Sequence, residues 1–427
     1  MRSQMFPLGI FPRGWRAALG SLVMVLMTSL FCISQEKVLY SFYDSGGSVL
    51  PEAGVISDRS GNLYGTTFYS GAYGMGMVYE LTPTSTGWKQ TILHSFNVDG
   101  VDGFWATGGL VMDASGNLYG TTEFGGSGSC TGDGFGCGTV FELSPSADGS
   151  WTEIILHDFT GADGWQAYAG LVFDRAGNLY GTTANGGNYG QGTVFEMSPS
   201  GGVWTLSVLH HFTGGGDGGV PWAGVTLDGS GHIFGATSAG GGSSSACKYG
   251  CGTVFELIHT RDARWTGRIL HNFTTDPSDG HFPSARLVFD SAGNLYGTTP
   301  QGGGTLDTGI VFELLRGNNG TWTESVLHNF NDSQTDGAYP SAPLIFDGAG
   351  NLYSATLSGG LEGQGTVFEL TPASDAWNET ILHSFSNQGT DGAQPSGGLI
   401  FNALGHLFGT TGSGGQNAEG TVFEIAR

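Results

Sequence analysis

Basic residues are scarce: 14 Lys and Arg stand against 37 Asp and Glu, a formal net charge of −23. A chain this acidic repels phosphate backbones and anionic membrane surfaces, so nucleic-acid binding is excluded. Charge of either sign is also thin, at 12% of residues where an average soluble domain has about a quarter, which argues against coiled coils and most helical bundles. Proline numbers only 14 and no three-residue glycine period is present, so the 78 glycines do not indicate collagen or disorder. Aromatic residues make up 12% of the chain, enough to build a core. No Gly-x-Ser-x-Gly elbow and no His-Glu-x-x-His segment occurs, and Gly-rich strings such as Gly187 to Gly192 lack a following Lys-Ser/Thr. Catalysis therefore has no motif behind it, and no cofactor is expected.

The one long apolar run, Ala17 to Phe31, follows Arg2, Arg13 and Arg16 and precedes Cys32-Ile33-Ser34, which puts small residues at −3 and −1 of a cut before Gln35. Residues 1–34 are expected to be a cleaved secretion signal. An uncleaved anchor is the alternative, although an apolar run of about 15 residues is short for a span. Phe31 before Cys32 disfavours a lipoprotein site. The remainder, 35–427, is expected to be an extracellular or periplasmic monomer with no membrane span after cleavage.

That remainder is repetitive. Gly-Asn-Leu-Tyr-Gly-Thr-Thr, with small changes, begins at Gly61, Gly116, Gly177, Gly231, Gly293, Gly350 and Gly405. Gly-Thr-Val-Phe-Glu-Leu or a close variant follows each time and carries Glu80, Glu142, Glu196, Glu256, Glu313, Glu369 and Glu424. The repeats start near residues 38, 92, 155, 208, 269, 326 and 381. In the third unit the β-branched and aromatic runs predict four strands: Gly170 to Asp174, Asn178 to Thr183, Gly192 to Met197 and Trp204 to Phe212. Seven four-stranded antiparallel units predict an all-β chain, a seven-bladed β-propeller. The last unit lacks its fourth strand, and Val38-Leu39-Tyr40-Ser41-Phe42 matches the missing Ile-Leu-His-x-Phe segment, so the N-terminal strand is expected to close the ring.

These markers resemble the Gloeo/Verruco (GloVer) tandem repeat of secreted bacterial proteins over about residues 38 to 427. The resemblance implies secretion and a propeller-like fold. It carries over no catalytic residues, because the family has no assigned activity; some members bear C-terminal sorting anchors, and none is expected here.

Residues shared by every unit are read as structural. Fourth-strand His94, His157, His210, His271, His328 and His383 fall on separate blades and cannot share one ion, so no metal is expected. The third-strand glutamates are expected near blade ends, touching water or backbone amides, with Glu196 opposite about Thr205. Trp88, Trp151, Trp204, Trp265, Trp322 and Trp377 are expected to pack between blades. Asp-Gly pairs at Asp102, Asp163, Asp217, Asp279, Asp336 and Asp391 read foremost as turns, with calcium as the alternative.

Departures from the repeat are the functional candidates. Cys130 with Cys137 and Cys247 with Cys251 lie in the two longest second-to-third-strand loops, and local disulfides are expected in an exported chain. Trp105, Trp165 and Trp222 enter blades two, three and four on the same face as those loops. With Asp102, Asp163 and Asp217 they form a candidate sugar platform, since sugar C–H faces stack on rings and hydroxyls need polar partners. The first functional reading is a secreted non-catalytic module binding an extracellular glycan or surface protein. A polysaccharide lyase or glycosidase on a propeller, needing paired carboxylates, is the second; a structural surface protein is the third.

Overall fold

The Leu-Tyr-Gly-Thr-Thr run alternates poorly between apolar and polar, and so suits a strand covered on both faces rather than one with a wet side. In the computed structural model, which describes residues 36–44, 48–130, 134–242, 247–260, 264–374 and 376–427, every residue of Leu179–Thr183 is buried. The third blade consists of Val172–Phe173, Leu179–Thr183, Thr193–Ser200 and Val203–His211, antiparallel and in chain order. Its first strand is shorter than expected because the residues before Val172 line the channel and the chain turns at Asp174. That carboxylate accepts the amides of Ala176 and Asn178, and Gly177 takes φ +89°, a turn geometry closed to most side chains.

Six blades repeat this order, and in the seventh the outer strand is Glu36–Ser41, paired with Thr421–Ile425. The chain is thus a seven-bladed β-propeller closed by its N-terminal strand. Equivalence of the closing strand extends to an irregularity: in the third blade the partners of Val194 and Phe195 jump from His210 to Val208, leaving Leu209 as a bulge. All seven outer strands carry that bulge at the same leucine, Leu39 included.

Neighbouring blades are tied at three radii. Innermost, a threonine hydroxyl donates to a carbonyl of the next blade, as Thr182 to Ala223 at 2.9 Å. Midway, the phenylalanine ending one outer strand packs edge-on against the third-strand aromatic of the next blade, with centroids 5.2 Å apart for Phe212 and Phe255. Outermost, the fourth-strand tryptophan packs on the second-strand aromatic of the preceding blade, Trp151 on Tyr64 at 6.3 Å, as the sequence suggested. The closing junction has all three layers: Thr410 to Ala53, Phe42 on Tyr79, and Trp88 on Phe408. Residues 1–34, expected to be a signal, lie outside the described residues.

Candidate functional sites at the blade junctions and the channel rim

In six blades the residue after the bulge is the recurrent histidine, and its Nε2 lies 2.9 to 3.4 Å from the Asp of the following Asp-Gly pair. Each Asp also accepts a loop amide, from Asn97 to Asp102 at 3.0 Å and from Thr274 to Asp279 at 2.8 Å among them. The turn reading of these aspartates therefore describes part of their work, and the histidine partnership is what it missed. The spacing was available as a signal: each Asp follows its histidine by six to eight residues.

A third group reaches four of these pairs from the next blade. Glu153 lies 3.5 Å from His94, Glu324 and Glu379 lie 3.6 Å from His271 and His328, and Glu36 joins His383 and Asp391. At the other three junctions the same register position holds Leu206, Gly267 or Gln90. Tyr40 replaces histidine at the last of these, and its hydroxyl donates to Gln90 at 3.0 Å. Burial pushes the carboxyls of Glu153, Glu324 and Glu379 upward, and that of Glu36 to about 7. Burial pulls His94 and His271 down, but their Asp bonds and the nearby Glu charges outweigh it and raise both. His210, facing Gly267, keeps only Asp217 against the same burial, and is lowered. Beside it a cavity of ≈ 250 Å³ occupies the space that a glutamate fills elsewhere.

The third-strand glutamates differ from expectation. Glu196 pairs in register with Ser207, two residues from Thr205, and its carboxylate accepts from the Tyr180 hydroxyl at 3.0 Å across the adjacent strand. They are therefore not groups left to water at blade ends. Where tyrosine becomes Phe234 or Phe408, the Asn two residues earlier becomes His232 or His406. His406 Nδ1 lies 2.7 Å from Glu424, so there the imidazole takes the place of the lost hydroxyl; His232 Nδ1 lies 3.3 Å from Glu256 without a hydrogen bond, and Arg268 donates to that carboxylate instead.

Inward, the inner strands enclose a channel with a cavity volume of ≈ 270 Å³. Glycines form much of its wall because neighbouring inner strands nearly touch: a Cβ on Gly54 would meet the Gly398 carbonyl oxygen at 2.2 Å. The equivalent position in the fifth blade is Arg286, whose side chain stays open to channel water while burial lowers its pKa. At the rim on the loop face, blades five to seven present Ser284, Ser341 and Ser396, whereas blades one to four present Glu52, Thr107, Tyr168 and Trp222. Behind that rim Glu123 is 4% exposed, and burial, with the Glu52 charge adding, raises its carboxyl to about 8 against a Thr107 hydrogen bond that lowers it.

The three odd tryptophans separate. Trp222 is 49% exposed, its ring 6.5 Å from that of Tyr168. Trp105 stacks on Phe68 at 4.9 Å, Trp165 packs into the second-to-third-blade core, and both bury their indole Nε1. Asp102 is buried; Asp163 and Asp217 are half-buried and held by His157 and His210. Sequence reasoning passed over Glu52, Glu123, Tyr168 and Arg286, although Arg286 stands where the other units have glycine or proline.

Both expected disulfides are present, Cys130–Cys137 and Cys247–Cys251, with Cα atoms 5.4 and 5.1 Å apart. Cys137 and Cys251 are themselves buried, so each staple fixes its loop to the core beneath.

A family model, the Gloeobacter/Verrucomicrobia repeat, matches residues 27–247 and 243–427. The chain belongs to this family. No curated protein matches the chain. Among solved structures this Gloeobacter/Verrucomicrobia repeat protein is similar to the extracellular domain of a protein described as a hybrid two-component system from B. thetaiotaomicron. That likeness has a TM-score of 0.55 at 10% identity over 91% of the chain. The chain spans 39% of that structure's length, and the likeness is one of fold. Among the described residues, no helix is long and apolar enough to cross a membrane.

Proposed function

We propose that the chain is an exported, non-catalytic binding module that receives a carbohydrate at the loop-face rim of its channel. The observation that carries this reading is Trp222, a half-exposed indole beside Tyr168 on a rim otherwise made of hydroxyl groups and the Glu52 carboxylate. A ring face of this kind takes the C–H face of a sugar, while Thr107, Ser284 and Glu52 offer partners for its hydroxyls and Arg286 donates from deeper in the channel. Of the six residues singled out from sequence, Trp222 is the contact; Trp105 and Trp165 support the rim from below, and Asp102, Asp163 and Asp217 hold the loops. Two local disulfides support an oxidising compartment and hence export.

A glycan array probed with the protein and with Trp222→Ala tests the reading. Binding that disappears in the folded variant is the expected result; no binding by either protein, or equal binding by both, overturns it. The Glu52 and Glu123 pair favours one second reading, a polysaccharide-cleaving enzyme with Glu123 as a protonated acid. Release of reducing ends from a polysaccharide panel, lost in Glu123→Gln, would favour it over the first.

A further inference from the structure

We infer that the four His–Asp–Glu junctions, His94–Asp102–Glu153 and its equivalents at His271, His328 and His383, each bind a divalent transition-metal ion of the zinc type that pins two blades together. The ligand atoms of each set lie within 4.8 Å of one another. In the first set His94 Nε2 is 3.1 Å from Asp102 and 3.5 Å from Glu153. A tetrahedral ion with bonds of about 2.0–2.1 Å needs ligand atoms about 3.3 Å apart, so the side chains require little movement to close on one. One imidazole nitrogen with two carboxylate oxygens suits zinc and its neighbours, whereas calcium takes six to eight oxygens.

Counting donors gives an independent argument. Each junction sets two carboxylates against one imidazole, which has a single N–H to direct at them through Nε2, so the second carboxylate needs either a proton of its own or a cation. Accordingly Asp102 Oδ1 and the Oε1 atoms of Glu36, Glu153, Glu324 and Glu379 are buried with no hydrogen-bond partner. Among these, the Asp102 side chain is 6% exposed and that of Glu379 10%. Asp102, Glu153, Glu324 and Glu379 thus each turn one oxygen to the histidine and keep the other buried and unpartnered, a shortage of positive charge that a cation would meet, and Asp102 is already oriented by the Asn97 amide, as the supporting bonds of a metal ligand are. The expectation of no metal considered histidines meeting one another; the second carboxylate comes from the neighbouring blade.

The test removes metal from the full-length folded protein with a chelator, restores Zn2+, and counts bound ions after desalting. Four ions per chain are expected, falling to three in Glu379→Gln and two in Glu379→Gln with Glu153→Gln. Because a junction variant can fail to fold, Gly267→Glu supplies the opposite arm: it builds a fifth set on His210 and Asp217, and the count should rise to five. Fewer than one ion per chain in the parent protein, or a count unmoved by Glu379→Gln and Gly267→Glu alike, overturns the inference and leaves a shared proton at these junctions.

Discussion

The outer junctions and the channel rim are built from the same seven units, yet they treat the repeat differently. At the junctions a histidine meets an aspartate in six blades, and at the seventh Tyr40 stands in the histidine's place and bonds Gln90, which occupies the register position of the junction glutamates. At the rim three serines face Glu52, Thr107, Tyr168 and Trp222 across the channel. Packing between blades presents almost the same environment seven times and so selects almost the same residues. Side chains at a water-filled channel are released from that demand, and departures there are open to selection by a ligand. The comparison sets shared packing at the periphery against the proposed recognition at the centre, and the following outcomes test that division.

The largest effect is expected from deleting Val38 to Phe42. The deletion leaves the seventh blade without its outer strand and removes the Phe42–Tyr79 and Tyr40–Gln90 contacts, so the ring has no cooperative melting transition by circular dichroism. A deletion variant that melts like the parent would contradict closure by this strand.

Next comes Glu123, an ionisable group buried behind the rim rather than at the junctions. Below its ordinary pKa of 4.5 it is protonated in both the folded and unfolded states; between there and about 8 the unfolded chain releases the proton while the fold retains it. Stability therefore declines across that window and levels off above it. Glu123→Gln removes this contribution, and at pH 8 the variant is expected to exceed the parent by on the order of 2–4 kcal/mol in urea unfolding, with the difference vanishing near pH 4. A pH-independent difference would remove Glu123 from the account.

Sequence made the periphery largely legible and the rim hardly at all, for the same physical reason. Repetition reveals what packing demands, so strand count, closure by Val38 to Phe42 and the tryptophan contacts followed from spacing. Register was harder: the third and fourth strands run on to Ser200 and Val203 around a two-residue turn, beyond the Met197 and Trp204 ends read from sequence, so Glu196 pairs with Ser207 rather than with Thr205. The His–Asp–Glu junctions were hidden because their third member comes from the next unit, a contact no single repeat contains. At the rim, Trp105, Trp165 and Trp222 look alike in sequence, but they occupy different positions along the entry loop. Trp105 is equivalent to Gln166 and Trp222 to Tyr168, and only the latter position faces the channel.

The Asn-x-Tyr and His-x-Phe alternatives allow a smaller, two-sided experiment at the periphery. Tyr180→Phe leaves Glu196 without its hydroxyl donor and is expected to cost about 1–2 kcal/mol, while adding Asn178→His should recover most of that loss. If the double variant is no more stable than Tyr180→Phe alone, the pairing seen at His406 and Glu424 does not transfer between blades.

The smallest effect on stability is expected at the residue given the largest functional role. Trp222 is half exposed on the rim, so Trp222→Ala should shift unfolding by about 0.5 kcal/mol or less, as at an ordinary surface site. The same substitution at Trp151, which packs on Tyr64 between two blades, should cost about 3 kcal/mol. Measured side by side by denaturant melts, the pair asks one question of both regions. Equal costs would mean that Trp222 also holds blades together, and the case for a binding rim would then lose its central residue; unequal costs in the expected direction leave an indole whose exposure packing does not explain.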